Sequence, residues 1–69
     1  MKYTIIKETI YSDELGKYES FAVQDENGNK ISDISTDLEK IKKLVNVLNQ
    51  KQTPANYLLY EIDSFLSET

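Results

Sequence analysis

The run Asp25-Glu26-Asn27-Gly28 lies between two segments of strand chemistry and constrains the fold more than any other feature of the chain. Aspartate suits the first position of a type I turn, and glycine suits the left-handed position that follows. Together they specify a three-residue hairpin loop with a glycine bulge. A two-residue Asn27-Gly28 loop is the competing reading. The first sets Ile31 opposite Val23; the second sets Ile31 opposite Gln24. A slip of one residue turns every side chain of a strand to the other face, so the apolar match favours the three-residue loop.

The segments around this turn read as strands. Tyr3, Thr4, Ile5, Ile6, Thr9, Ile10 and Tyr11 are mostly β-branched or aromatic. Alternation puts Tyr3, Ile5 and Tyr11 on one side and Ile6 and Ile10 on the other. The first strand is expected over 2–11, covered on one face and with apolar surface left on the second. Ser12-Asp13-Glu14-Leu15-Gly16-Lys17 turns the chain, with Gly16 supplying the permissive backbone. A second strand is expected over 18–25, with Phe21 and Val23 facing one way and Ala22 and Gln24 the other. A third follows over 29–33.

The second half has helical spacing. Thr36-Asp37-Leu38-Glu39 reads as a capping box, Thr36 as cap and Glu39 reaching back to it. Leu38, Ile41, Leu44, Val45 and Leu48 recur at helical intervals over 37–50. Thr53-Pro54 restarts the pattern, threonine as cap and proline at the first helical position. Ala55, Leu58, Leu59, Ile62, Phe65 and Leu66 then form an apolar stripe over 54–67. The expected fold is α+β: a three-stranded antiparallel sheet packed by a C-terminal helical hairpin (βββαα), one domain spanning 1–69. The expected core is Phe21, Val23, Ile31, Leu38, Ile41, Leu44, Val45, Leu48, Leu58, Ile62, Phe65 and Leu66.

Composition limits the chemistry. Sixty-nine residues make one small core, and there is no cysteine to staple it. There is no histidine, the commonest general base and metal ligand. Six serines therefore stand without the usual activating partner, and a two-layer domain of this size has little room for a substrate pocket. The loop at Asp25 has glycine fourth and Thr36 twelfth, which fails the calcium-loop pattern. No enzyme activity, cofactor or metal is expected. The N-terminus carries charge within eight residues and has no long apolar run, so a cytoplasmic location without membrane contact is expected.

The net charge is -4 and arginine is absent. Both features oppose direct binding of nucleic acid, and the net negative charge favours a protein partner with a basic surface. Charge is also polarised: residues 40–51 carry +4, residues 1–39 carry -5 and residues 52–69 carry -3. Lysines near a helix C-terminus suit the dipole, so the basic stretch reads as a solvated face. Tyr57 and Tyr60 lie off the apolar stripe beside Glu61 and Asp63. Such amphipathic rings suit protein contact, and they equally suit the rim of a small core.

Ile31-Ser32-Asp33-Ile34-Ser35-Thr36-Asp37, Leu44-Val45 and Ile62-Asp63-Ser64-Phe65-Leu66 together resemble small uncharacterised proteins of low-GC Gram-positive bacteria, a resemblance that implies no activity. More loosely, the chain resembles small acidic phage anti-CRISPR proteins, in which a short antiparallel sheet, an Asn-Gly-type hairpin and two helices present acids that imitate DNA phosphates. In that likeness Asp25-Glu26-Asn27-Gly28-Asn29 corresponds to the hairpin tip, and Ile31, Ser32 and Asp33 to the region after it. The chain departs from the pattern in lacking an N-terminal helix and in carrying Lys51-Gln52-Thr53 where an acidic loop would stand. The resemblance implies an inhibitor, a DNA mimic that occupies the nucleic-acid-binding surface of a CRISPR effector nuclease. The candidate partner-binding residues are Asp25, Glu26, Asn27, Asn29, Asp33, Asp37, Glu39, Tyr57 and Tyr60. The alternative is a small housekeeping or assembly domain that forms a homodimer through its first strand or its exposed sheet face.

Overall fold

The computed structural model describes residues 2–68. Three strands, β1 (Thr4–Ser12), β2 (Gly16–Gln24) and β3 (Lys30–Ser35), precede helix α1 (Leu38–Lys51), a 3-10 turn (Ala55–Tyr57) and helix α2 (Leu58–Glu68). The strands form one antiparallel sheet in the order β1-β2-β3, which is the expected βββαα arrangement.

The second hairpin closes as its turn chemistry requires. Gly28 adopts φ 88°. Its N–H donates to the Asp25 carbonyl at 3.3 Å, and the Asp25 N–H donates to the Asn29 carbonyl at 3.0 Å. Val23 consequently faces Ile31. Between Phe21, which faces Ser35, and Val23 the register shifts. Two extra residues of β3 are absorbed there, and Asp33 takes φ 52° within the bulge.

The sheet has two unlike faces. Tyr3, Ile5, Phe21, Val23 and Ile31 point towards the helices, where Ile41, Leu44, Leu48, Leu58 and Ile62 complete the core. Ile34, Val45 and Phe65 are half-buried against it. Thr4, Ile6, Glu8 and Ile10 stand on the opposite face, in register with Gln24, Ala22, Ser20 and Tyr18. Ser20 and Ala22 have no exposed surface although no helix covers them. Their side chains are short, and longer neighbours lean over them.

Tyr3 binds the start of the chain to the end of α1. Its ring is buried and its hydroxyl donates to the Thr53 carbonyl at 2.5 Å. The Asn49 side chain accepts from the Tyr3 N–H at 2.8 Å and donates to the Tyr3 carbonyl at 3.1 Å, as a neighbouring strand would. α1 ends without glycine. Gln52 takes φ 52°, its N–H bonds to the Asn49 carbonyl and the Thr53 N–H bonds to that of Leu48. This pair of bonds is a Schellman motif.

Four expectations need correction. Asp37, not Thr36, caps α1: its carboxylate accepts from the N–H of Glu39 at 3.0 Å and of Lys40 at 3.5 Å. Aspartate reaches those donors as well as threonine does, and starting the helix one residue later leaves Thr36 exposed. Thr53 does not cap a helix either. It is buried, and a 3-10 turn flanked by Pro54 intervenes before α2. Leu38 and Leu66 are outside the core: Leu38 is the first residue of α1 and Leu66 lies in the last turn of α2, where each is more than a third exposed.

Candidate partner-binding surfaces

Most of the acids picked out in the sequence are held in internal structure. Asp25 is 6% exposed. Its Oδ1 accepts from the N–H of Asn27 at 2.8 Å and of Asn29 at 2.9 Å, and its Oδ2 from the Asn29 side-chain amide at 3.0 Å. These donors, the Asn29 amide above all, hold its carboxyl below the usual carboxylate range. Glu26 stays exposed at the tip and accepts from the Lys2 N–H at 2.5 Å. Asn27 and Asn29 are exposed, but Asn29 spends its side chain on Asp25.

Asp33 belongs to a second cluster, on the sheet face turned away from the helices. Its Oδ2 accepts from the Tyr18 hydroxyl at 2.9 Å and its Oδ1 from the Ser20 hydroxyl at 2.7 Å. Glu8 reaches over β2 from β1 and accepts from the Asp33 N–H at 2.9 Å. Its other oxygen lies 3.1 Å from Lys30 Nζ and 3.4 Å from Ser32 Oγ. The Asp33 N–H is the main reason that the Glu8 carboxyl sits below its ordinary range. Accepting the Tyr18 proton makes Asp33 raise the Tyr18 hydroxyl above its own. The cluster ties all three strands together across the bulge. Sequence reasoning missed Glu8, Tyr18, Ser20, Lys30 and Ser32. The available signal was the pair of small residues, Ser20 and Ala22, in a central strand opposite Glu8 and Ile6.

Asp37 and Glu39 lie at the start of α1. Asp37 is used in capping, and Glu39 is exposed with Lys42 at 3.9 Å. Tyr57 and Tyr60 stand apart from all of these acids, on the 3-10 turn and α2. Tyr57 is 57% exposed, Tyr60 64% and Leu59 65%, while Leu58 and Ile62 of the same helix are buried. An open depression of about 790 Å³ runs along α2, lined by Leu59, Tyr60, Ile62, Asp63 and Leu66. The volume would suit a ligand, but among the described residues the lining comes from one helix. A trough without a facing wall cannot surround a small molecule, though it can accept a side chain from another protein. The nine candidates thus fall into separate places: the hairpin tip, the bulge, the α1 cap and the α2 surface.

No helix of the described residues is long and apolar enough to cross a membrane. No family model, curated protein or solved structure matches the chain.

The two carboxylates with lowered values set an acid response. Between the folded value and the unfolded value near pH 4, the unfolded chain binds more protons, so stability rises with pH across that window. The contribution of Asp25 and Glu8 is fully present above it and is lost as pH falls through the folded values. Urea midpoints measured from pH 7 downwards should hold until about pH 5 and then fall. Asp25→Asn and Glu8→Gln should each flatten the fall; an unchanged slope in the double variant would assign the acid response to other groups.

Proposed function

We propose that the chain is a non-enzymatic protein-binding module, and that its main contact is the exposed surface of α2. The observation that carries this reading is the exposure of Tyr57, Leu59 and Tyr60 on one short stretch whose inward positions already fill the core. Tyrosine supplies a large contact area at little entropic cost and is enriched at binding hot spots. Asp63 lies among these residues, Glu61 being paired with Lys51 at 3.3 Å, and the chain carries a net charge of -4, so the fitting partner presents an apolar cleft on a basic surface. A nucleic-acid-binding surface of a nuclease is basic, and the chain acts on it as an anti-CRISPR-like inhibitor.

The acidic hairpin is the secondary contact, supported by the exposure of Glu26 and, beyond it, Glu39. Asp25 is not counted, because its carboxylate is closed within the turn. The partner is captured from host lysate at low salt, identified, and its affinity measured with purified variants. Tyr60→Ala should weaken binding by about thirtyfold or more, the scale of a hot-spot aromatic. Glu26→Lys combined with Glu39→Lys should lower mainly the association rate and its salt dependence. If Tyr57→Ala and Tyr60→Ala bind normally and the charge reversals abolish binding, the contact lies at the acidic end and α2 is not the interface.

A further inference from the structure

The two outer edges of the sheet are not equivalent. β3 is short, and the Asp33 bulge breaks its edge, a common protection against pairing with another strand. β1 runs nine residues, Thr4–Ser12, without proline and in unbroken register with β2. Its outward backbone groups can be identified. The Asp25 N–H bonds to the Asn29 carbonyl, so that pair is hydrogen-bonded across β2 and β3. Alternation along an antiparallel ladder then turns the backbone of Val23 to β3 and that of Gln24 to β1. Gln24 faces Thr4. Even-numbered residues of β1 therefore bond to β2, and Ile5, Lys7, Thr9 and Tyr11 direct N–H and C=O outwards. Tyr3 belongs to the outward set, and its two groups are the ones that Asn49 takes. Among the described residues this covering stops at Tyr3.

We propose that this edge pairs antiparallel with the β1 edge of a second copy, with Glu8 facing Glu8 at the centre, to give a continuous six-stranded sheet. Self-complementarity selects the second copy as the occupant. A two-fold axis through such a seam stands perpendicular to the sheet, so facing residues share a side and each contact occurs twice. Centring on Glu8 sets Ile6 against Ile10 of the second copy, and Ile5 against Tyr11. Centring on Lys7 opposes two lysines and sets Ile6 against Glu8. Centring on Thr9 sets Ile6 against Ser12 and Glu8 against Ile10. Only the first register matches apolar residues on both faces. Its one like-charged pair is already drawn aside: each Glu8 carboxylate leans away across β2 to Lys30 and the Asp33 N–H. Tyr11, 78% exposed in the single chain, gains a neighbour. The Asn49 clamp lies beyond the end of the seam, since Tyr3 falls opposite the turn residue Asp13 of the second copy.

The experiment combines sedimentation with amide exchange on the full chain. Purified protein should sediment as a dimer that dissociates on dilution. The amides of Lys7, Thr9 and Tyr11 should exchange slowly at high concentration, by roughly tenfold or more relative to open amides, and lose that protection as the dimer dissociates. Thr9→Pro removes only an outward N–H, a position where an edge strand tolerates proline. It should sediment as a monomer with an unchanged circular dichroism spectrum. Should that variant fail to fold, the exchange pattern of the unaltered chain decides. Rapid exchange of the outward amides at the highest concentration overturns the proposal. So does a dimer that survives Thr9→Pro and dissociates with Leu59→Lys, which would place the seam on α2.

Discussion

Tyr3→Ala is expected to leave the chain largely unfolded. Truncating a buried aromatic costs about 3–5 kcal/mol, and a domain of this size has about 5 kcal/mol in total. The loss is compounded here because the ring sits among Val23, Leu48 and the rest of the core, while its hydroxyl closes the Thr53 carbonyl. Tyr3→Phe separates the two contributions. It keeps the ring and leaves that carbonyl without its donor, at about 1–3 kcal/mol. Urea unfolding followed by circular dichroism measures both. A Tyr3→Ala variant that melts with the parent would show that the ring does not anchor the core.

Leu48→Ala should follow closely, at about 2–5 kcal/mol. Leu48 is fully buried between the sheet and α2, and a cavity there can collapse only by moving a helix. Leu38→Ala, ten residues earlier on the same apolar stripe, should shift stability by less than about 1 kcal/mol, since that side chain is 40% exposed. Urea midpoints of the two variants, compared side by side, test the assignment. Equal losses would mean that α1 is rotated about its axis relative to the packing described.

The hairpin register was legible because its causes are local: four turn residues and the match of Val23 with Ile31. Tyr3 was not legible as core. Its partners Asn49 and Thr53 lie 46 and 50 residues away in sequence, and no window of the chain contains both sides of that contact. Periodicity placed Leu58, Ile62 and Phe65 on the inward side of α2, but it also put Ala55, Leu59 and Leu66 on that stripe, and all three are exposed. Leu58 and Ile62 took the available space and Leu59 stayed outside. Asp25 shows a different limit. The short carboxylate that makes aspartate a good turn former does so by accepting the backbone N–H groups of Asn27 and Asn29. A turn signal therefore argued against Asp25 as a contact residue, while the charge alone argued for it.

The tie from Tyr3 to Asn49 and Thr53 also bears on the order in which the chain assembles. Both hairpins can close from neighbouring sequence, and such short loops close early. The tie needs both ends of a fifty-residue span, because the Tyr3 hydroxyl bonds to Thr53. During synthesis Tyr3 emerges before α1 and must wait for α1 to be complete before its N–H and C=O are paired. Until then the apolar face of the sheet has no cover. The interval between the emergence of Tyr3 and that of Thr53 is the period in which the nascent chain is most open to pairing with the wrong strand.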